Sequence, residues 1–447
     1  MDFQFGQSLF KRVRILSYPV VLIASFLLLT GQAGCDRLPF FGGQKPVTLK
    51  YWGLWEPSEV MAPLINKYQK SNHKVKIEYE KQSPREYRER LISRIAAGGG
   101  PDIFRFHNSW VPMLKNHLYQ IPNKIVEKTT FDKIFYPVSV SDLTATNGVW
   151  GIPLEFDGLG LYINLDLFKA AGIDKIPTTW DELRTTASQL TVRDGGKIKT
   201  AGVALGSAKN VDHFSDILAL MMLQNGATLI NPTDQLAQDA VDFFTLFTKA
   251  PVEARVWDET QPASTLAFAQ GNLAMYFAPS WRVFEIKAAN PSLNFKIVPV
   301  PQLPGAKVTW ASYWVEGVSV KSKNKEAAAA FLKFLSQPDN LQLFYTEAAK
   351  TRLFGEPYSR VDLAQTLADD PFVGAYLADA ATAKSGPFSS TTFDNGLNDR
   401  TIAVLAQSVD LVLKGQSAKD VLTAADRDLQ TIFAEFGLVS PPAATPR

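Results

Sequence analysis

The sequence is poor in the residues that most often bind metals or form covalent cross-links. Among 447 residues there is one cysteine, Cys35, and there are four histidines. A single cysteine excludes a disulfide within the chain and a cysteine-based metal site. The histidines, which are His73, His107, His117 and His213, show no spacing typical of metal ligands. The sequence therefore indicates no metal site and no cofactor.

An excess of charge of one sign is also lacking. The formal net charge is +2, with 46 lysines and arginines set against 44 aspartates and glutamates. Because the two signs are mixed along the chain, no basic face forms and a nucleic acid partner is not expected. The glycine run at 98–100 lacks the Gly-Lys-Ser/Thr end of a nucleotide-binding loop and is better explained as a helix stop. The chain contains no Gly-x-Ser-x-Gly hydrolase motif.

A long apolar run occurs only near the N-terminus. Lys11, Arg12 and Arg14 form a short positive block, and a mostly apolar stretch follows at residues 15–30. A membrane-spanning helix needs roughly 20 apolar residues, and this stretch is shorter and is interrupted by serine and proline. A basic start, a short apolar core and the small residues that follow are typical of an export signal. We expect residues 1–34 to be a signal peptide and the mature protein to work outside the cytoplasm.

Cys35 follows two small residues, an order that resembles the bacterial lipobox, in which cleavage leaves a lipid-modified cysteine as the first residue. Gln32 departs from the apolar residue usual at its position. The resemblance implies lipidation at Cys35, a tether over residues 35–46 and attachment to the membrane through lipid. An unlipidated export signal and an uncleaved membrane anchor are the alternatives. At the other end, the proline-rich residues 441–447 are expected to be disordered.

The globular part opens with alternating strand and helix patterns. Strand-like segments lie at residues 47–53, 75–80 and 102–106, and segments with a helical spacing of apolar residues lie between them, at 60–68 and 85–97. This order predicts βαβ units and a mainly parallel sheet. Ligands of such sheets bind beyond the carboxyl ends of the strands.

A second α/β region begins near residue 151, and the chain is long enough for two domains. Strands are predicted at 159–164, 202–205, 273–277, 295–300 and 315–320, and helices at 239–249, 263–270, 326–335, 397–414 and 418–436. Another helix is predicted from Trp180 onward, with Thr178 or Thr179 as its N-cap.

Several segments, taken in order, resemble one family. They are Tyr-Trp-Gly at 51–53, Ala-Ala-Gly and Gly-Pro-Asp within 96–102, Gly-Ile-Pro at 151–153 with Tyr-Ile-Asn at 162–164, Pro-Thr-Thr-Trp at 177–180, Phe268 with 271–275 and Trp281, and the strand-to-helix junction at 318–328. No single motif is very specific, but their order across nearly the whole mature chain is. The sequence is similar to the extracellular solute-binding proteins of carbohydrate ABC importers, the group that includes maltose- and glycerol-phosphate-binding proteins.

This resemblance implies an α/β, two-lobed periplasmic-binding-protein-like fold of type II, with a hinge and a ligand cleft between the lobes. Carried over, lobe 1 comprises residues 46–155 plus 308–353, and lobe 2 comprises 156–307 plus 354–440. Residues 155–157 and the proline-bearing stretch near Val300 are where a few dihedral angles would absorb closure. The resemblance also implies a monomer without enzymatic activity that closes on a carbohydrate and delivers it to the transmembrane subunits of an ABC permease.

A sugar site needs flat aromatic faces against the C–H surface of the ring and polar side chains for its hydroxyl groups. The candidates at strand ends and at the implied hinge are Trp52, Glu56, Asn108, Trp110, Glu155, Asp157, Trp281, Tyr313, Trp314, Glu316 and Arg352. By the resemblance, Trp281 matches a family position whose tryptophan stacks on sugar. Alternatively, Trp52 and Trp110 are core residues. A separate alternative is that Glu155 and Asp157 are solvated charges at the hinge.

Two places depart from the family pattern. Residues 314–317, Trp-Val-Glu-Gly, stand where the family usually has two glycines, and the bulkier side chains are expected to reshape the cleft. Family members often place a ligand-facing aromatic residue just before the last helical block, where Phe393 is the nearest match. Asn395 or Asn398 is expected to cap the helix that follows.

Other functions compete with sugar import. An exported glycoside hydrolase would use paired carboxylates, here Glu155 and Asp157, although a pair at a hinge changes its separation whenever the lobes move. The same fold could instead bind a polyol phosphate, a polyamine, a metal or a peptide. The many aromatic residues and few histidines disfavour a metal.

Overall fold

The structure, a computed structural model, describes residues 46–305 and 307–440. The predicted signal peptide, Cys35 with nearly all of the predicted tether, and residues 441–447 lie outside the described residues. Within the described part, no helix combines the length and the apolar character that crossing a membrane requires.

The strands of the described part alternate with helices along most of the chain. In chain order the strands are β1 (Val47–Gly53), β2 (Val75–Lys81), β3 (Ile103–His107), β4 (Ile121–Pro122), β5 (Thr144–Ala145), β6 (Gly148–Val149), β7 (Ile152–Pro153), β8 (Gly160–Asn164), β9 (Val192–Asp194), β10 (Lys197–Val203), β11 (Leu273–Ala278), β12 (Phe295–Val298), β13 (Thr309–Trp310), β14 (Trp314–Val318) and β15 (Ala383–Lys384). This order confirms the α/β class.

The observed bounds of the helices are close to the predicted bounds wherever the sequence shows an amphipathic spacing of apolar residues. In chain order they are α1 (Ser58–Ser71), α2 (Tyr87–Ala96), α3 (Val111–Leu114), α4 (Lys128–Ile134), α5 (Pro137–Leu143), α6 (Leu165–Ala170), α7 (Trp180–Leu190), α8 (Phe214–Gln224), α9 (Gln235–Lys249), α10 (Ser264–Ala269), α11 (Arg282–Ala289), α12 (Lys325–Leu335), α13 (Pro338–Ala349), α14 (Gly374–Ala378), α15 (Leu397–Leu413) and α16 (Ala418–Glu435). Short 3-10 helices lie at Asn108–Trp110, Val361–Leu367 and Ala380–Thr382.

The first large sheet has the strand order β2-β1-β3-β14-β7. β1 runs parallel to both β2 and β3, as the βαβ pattern predicted. β14 runs antiparallel to β3 and to β7. β7 therefore runs in the same direction as β1, β2 and β3, and β14 is the one reversed strand of the five. The prediction of a mainly parallel sheet is right except for β14, which brings the chain back from the second sheet.

The second large sheet has the order β12-β8-β11-β10-β9. Only β10 and β11 pair in parallel, and the other neighbours are antiparallel. Every residue of β8 and β11 is buried, which is expected for central strands with helices on both faces. We call the parts of the molecule built on the two sheets the first and the second lobe.

Two helix starts show how local chemistry fixes the boundaries. Thr179 caps α7, since its side chain accepts a hydrogen bond from the backbone N–H of Glu182 at 3.3 Å, and this confirms the predicted cap. The prediction that Asn395 or Asn398 caps α15 is wrong. The carboxylate of the buried Asp394 accepts instead, from the N–H groups of residues 396, 398 and 399.

Three chain segments connect the two lobes. Among the described residues, 154–159 lead from β7 to β8, 299–305 and 307–313 lead from β12 to β14, and 350–373 lead from α13 to α14. The first two include the segments predicted as hinges.

The first connection pairs with each of the other two. Glu155 pairs with Tyr358 and Gly158 pairs with Ala311, both antiparallel. A Cβ atom on Gly158 would lie 1.8 Å from the carbonyl oxygen of Trp310, so only glycine permits this close approach. Backbone pairing thus holds the three connections side by side between the lobes.

Candidate functional site

A buried ion network lies in the first lobe around Arg105. This residue is in the middle of β3, directly opposite Glu316 of β14, and it is 2% exposed. Its Nε donates to Glu316 Oε1 and its Nη1 donates to Glu56 Oε2, both at 2.6 Å, and Glu155 Oε2 lies 3.8 Å from Nη1. Burial raises the pKa of Glu316, although the charge of Arg105 acts to lower it. Each buried charge in this network depends on the others for compensation.

A second arginine extends the network towards the hinge. Arg352 Nη2 donates to Glu356 Oε1 at 2.6 Å and lies 3.8 Å from Glu56 Oε1. Burial, followed by the negative charge of Glu356, holds the pKa of Glu155 well above its ordinary value, although Arg105 lowers it. We refer to Arg105, Arg352 and the four glutamates they contact, 56, 155, 316 and 356, as the Arg105 cluster.

Tryptophan rings lie beside the Arg105 cluster at the end of β14. The ring of Trp314 meets the rings of Trp55 and Trp110 edge to face, with centroids 5.3 and 5.5 Å apart. Trp110 is fully buried, whereas Trp55 and Trp314 are half-buried. The N–H of Trp314 also donates to Glu155 Oε1 at 3.2 Å. The partly accessible rings of Trp55 and Trp314 therefore pack beside buried groups, namely the ring of Trp110 and the Arg105 cluster.

A third accessible tryptophan stands at the end of β11 in the second lobe. The guanidinium of Arg282 lies 4.3 Å from the ring centroid of Trp281, and the ring of His213 meets it edge to face at 5.8 Å. Arg282 Nε donates to His213 Nε2 at 2.9 Å. Because Nε2 accepts, the neutral imidazole carries its proton on Nδ1 and donates to Ser390 Oγ at 2.8 Å. Trp281 is thus held by an ordered cationic and polar surround.

Asp157, in the hinge, forms hydrogen bonds with residues close to Trp281 and Trp314. Its carboxylate accepts from the N–H and the hydroxyl of Ser280, at 3.1 and 2.8 Å, and Ser280 directly precedes Trp281. Its backbone carbonyl accepts from the N–H of Ser312 at 2.9 Å, two residues before Trp314. Burial raises the pKa of Asp157 to about 7, against the lowering effect of the hydrogen bonds that it accepts.

Asn108 and Tyr313 direct their polar atoms to a buried carboxylate. The amide of Asn108 and the hydroxyl of Tyr313 donate to Asp142 Oδ2 at 2.9 and 2.8 Å, and Ser385 donates to Oδ1 at 2.6 Å. Burial raises the pKa of Asp142, although these three hydrogen bonds lower it. These two predicted site residues therefore have partners within the protein.

A cavity of about 450 Å³ opens beside Asn108. Its lining residues are Asn108, Ser109, Val111, Pro112, Asp142, Leu223, Ala227, Thr228, Leu229, Ile230, Ser385, Gly386, Pro387, Leu397 and Leu438. Apolar walls with a few convergent polar groups are typical of small-molecule sites. The lining includes one predicted site residue and none of the predicted tryptophans, so the cavity and the accessible rings mark two neighbouring regions. Ser109 connects them, since its hydroxyl contacts His107, whose ring lies against Trp314.

Two further aromatic candidates lie apart from these groups. Trp52 is half-buried on β1 and packs against the hydrophobic core. Phe393 is 47% exposed and has a left-handed backbone, with φ at 55°.

Sequence reasoning missed Arg105, the residue that contacts three of the predicted site residues, Glu56, Glu155 and Glu316. Arg105 stands between Phe104 and Phe106 in a strand that is buried at every position, and a charge in such a strand requires a buried partner. The position of Arg105 in a buried strand could therefore have been recognised from the sequence. The contributions of Glu356 and Trp55 could not, because they depend on which loops meet at the hinge.

Comparison with known proteins identifies the class. The family model of the bacterial extracellular solute-binding proteins matches residues 55–342, which is more than half of the chain. The chain belongs to this family. This is a family of solute-binding proteins that work outside the cell.

Individual relatives are distant. A putative binding protein of Brucella abortus is 25% identical over 263 residues, which cover 56% of this chain and 62% of that protein. The chain thus matches less than two thirds of the length of this curated relative. Among solved structures, the sugar-binding protein MalE from Xanthomonas citri is similar with a TM-score of 0.71, at 20% identity, over 87% of this chain and 98% of the other. A solute-binding protein of an ABC transporter from Thermotoga lettingae, bound with alpha-D-tagatose, gives a TM-score of 0.64 at 20% identity over 86% of this chain and 99% of the other.

The structural likenesses bear on the fold. They confirm the predicted two-lobed architecture, in which two α/β lobes are joined by a hinge.

Proposed function

We propose that this protein is the substrate-binding component of an ABC-type sugar importer. It binds a mono- or oligosaccharide between the lobes, closes on it and delivers it to the transmembrane permease subunits. The observation that carries the proposal is that a half-buried tryptophan ring lies on each lobe, Trp281 on one and Trp314 on the other, close in sequence to a residue that hydrogen-bonds Asp157 at the hinge. The sugar-binding description of the Xanthomonas citri protein and the tagatose in the Thermotoga lettingae protein support it.

We assign the stacking role to Trp281 on the second lobe and to Trp55 and Trp314 on the first. Each presents part of an aromatic ring at a strand end, where an apolar face can cover the C–H surface of a sugar. Trp110 is buried beneath Trp314 and would act by supporting it.

Hydroxyl groups of the sugar would be met at the rim of the Arg105 cluster. The side chains of Arg352 and Glu356 are 21% and 14% exposed, whereas Glu56, Glu155 and Glu316 are almost fully buried. The exposed pair is therefore placed to contact solute, and the buried carboxylates position that pair. The cavity beside Asn108 would extend the same cleft for a longer saccharide.

Closure would follow from contacts made by both lobes at once. A ligand that touches the rings of both lobes only in the closed form shifts the population towards that form. The lobe boundaries that we propose are 46–155 plus 308–353 and 156–307 plus 354–440. They are supported by the membership of β7 and β14 in the first sheet and of β8 and β12 in the second.

We also propose that the exported protein, acting as a monomer, is anchored to the membrane by lipid on Cys35. The support is the sequence alone: a basic start, an apolar core and a cysteine after small residues. Metabolic labelling with a fatty acid analogue should mark the wild-type chain. The Cys35→Ala variant should remain unlabelled, and equal labelling of both would exclude this site.

The glycoside hydrolase alternative finds little support in the carboxylates. Glu155 points into the Arg105 cluster, while Asp157 accepts hydrogen bonds from Ser280. The two groups therefore serve different partners. A hydrolase should cleave chromogenic glycosides, and we expect none to be cleaved.

Calorimetric titration of the purified protein with saccharides tests the proposed site. A sugar that binds the wild-type protein should bind Trp281→Phe with little loss, because the ring is kept, and should bind Trp281→Ala much more weakly. Equal affinity for both variants in folded protein would remove Trp281 from the site.

A further inference from the structure

The Arg105 cluster contains more negative than positive charge in a buried place. Four glutamates contact two arginines, so two negative charges are left without a partner when all are ionised. An uncompensated buried charge is costly, and proteins compensate it with a proton, a counter-ion or a metal.

Three of these carboxylates converge. One oxygen from each of Glu56, Glu155 and Glu356 lies within 4.8 Å of the other two. Oxygens bound to one Ca²⁺ ion at about 2.4 Å are separated by at most about 4.8 Å, so the spacing fits a single ion.

Each carboxylate also has one oxygen held in place. Glu56 Oε2 is bound by Arg105, Glu155 Oε1 by the N–H of Trp314, and Glu356 Oε1 by Arg352. The other oxygens of the first two, Glu56 Oε1 and Glu155 Oε2, are buried and accept no hydrogen bond from any described residue. The two residues are only 2% and 3% exposed. The arginine nitrogens near these two oxygens, Arg352 Nη2 and Arg105 Nη1, are each 3.8 Å away, which is beyond hydrogen-bond distance. Each carboxylate thus has one oxygen fixed by a partner and a second oxygen with lone pairs left for a further ligand, which is the usual support of metal ligands.

We propose that Glu56, Glu155 and Glu356 bind one hard divalent cation of the Ca²⁺ type. All three ligands are carboxylates, which such cations prefer, and a charge of +2 balances the two unpaired negative charges. The partly exposed Glu356 provides the way in from solvent.

This cation would also act on the hinge. Glu155 and Glu356 belong to two connections that pair next to each other, with the N–H of Phe156 bound to the carbonyl of Pro357 at 2.9 Å. Glu56 belongs to the loop after β1 in the first lobe. Binding would fasten two of the three connections to the first lobe, whatever solute the cleft takes.

The test is equilibrium dialysis of chelator-treated protein against CaCl₂, MgCl₂ and MnCl₂, with bound metal measured directly. We expect one saturable Ca²⁺ per chain and a rise in the melting temperature. Glu356→Gln should weaken Ca²⁺ binding about tenfold or more. Glu347→Gln is the matched control, since Glu347 has the same 14% side-chain exposure and also pairs with a cation, Lys350, but lies outside the cluster.

The outcomes separate this proposal from the proposed function. Absence of saturable binding of all three metals, or equal binding by the two variants, overturns the cation site. The cation site is also overturned if a polyamine, but none of the three metals, stabilises the protein and Glu356→Gln abolishes that effect. In that case the cluster binds a cationic solute. Saccharide binding is measured separately, in the presence of chelator. Its outcome tests the proposed function and does not depend on whether the cation binds.

Discussion

Replacing Arg105 with methionine removes the common partner of three buried carboxylates. The side chain of Arg105 is 2% exposed and contacts Glu56 and Glu316 at 2.6 Å and Glu155 at 3.8 Å. Methionine fills similar space but leaves those carboxylates buried without their cation. Removing one partner of a buried ion pair costs about 3–5 kcal/mol. We therefore expect the free energy of unfolding at pH 7 to fall by about that amount, a large part of the total for a typical protein.

The pH dependence gives this prediction its sharpest form. The pKa values of Glu155 and Glu316 are already raised in the folded protein, and Arg105 is the group that lowers them. Without Arg105, the pKa values of both glutamates rise further. A carboxyl group whose pKa is raised by folding contributes stability below its unfolded pKa, and this contribution is lost as the pH rises through its folded pKa. The stability difference between wild type and Arg105→Met should be largest at neutral pH and smallest below about pH 4.5.

Urea denaturation followed by circular dichroism from pH 4.5 to 7.5 provides the measurement. The control is Arg360→Met, because Arg360 is also buried but its carboxylate partner, Asp362, is 52% exposed and can be solvated again. We expect that variant to lose about 1–2 kcal/mol. Equal losses in the two variants, or a wild-type-to-variant difference that does not change with pH, would refute the reasoning.

Three further predictions use single substitutions. Trp281→Ala should weaken the affinity for the cognate sugar by about 1–3 kcal/mol, measured by titration calorimetry; an unchanged affinity contradicts its assignment. Burial lowers the pKa of His107 to about 3, so below pH 6.5 the unfolded chain binds a proton that the folded protein does not. Wild type should therefore lose about 1.4 kcal/mol per pH unit relative to His107→Gln, and parallel stability curves contradict this. Gly158→Ala should lower the free energy of unfolding by about 1–3 kcal/mol, because its Cβ meets the Trp310 carbonyl, and an unaltered urea midpoint would contradict the close approach.

The sequence predicted the elements whose periodicity is clear. α9 and α12 carry a one-sided apolar face, and β1, β3 and β11 are flanked by turn residues, so each lies within a few residues of its prediction. α8 was missed because it is buried on nearly all sides and therefore shows no amphipathic period. The antiparallel direction of β14 depends on the chain returning from the other lobe, which local sequence does not encode.

The candidate site was predictable as a set of residue types but not as an arrangement. Glu56, Glu155, Glu316 and Arg352 were selected as separate contacts. The structure joins the three glutamates through Arg105, and Arg352 joins them through Glu56. At residues 314–317 the family usually has two glycines, and this chain has larger residues. One of them, Glu316, pairs directly across the sheet with Arg105, which gives the difference a physical reason. The pairing of Glu316 with Arg105 can be recognised only when the register between the two strands is known.

The most direct test of sugar binding is a thermal-shift screen of the purified protein against mono-, di- and oligosaccharides, polyols, glycerol phosphates, amino acids and polyamines. A ligand that binds only the folded state adds about 2.7 kcal/mol of stability at one hundred times its dissociation constant. We predict a clear rise in melting temperature with one class of saccharide. A rise with amino acids or polyamines and with no carbohydrate would contradict the sugar assignment, while leaving the solute-binding fold intact.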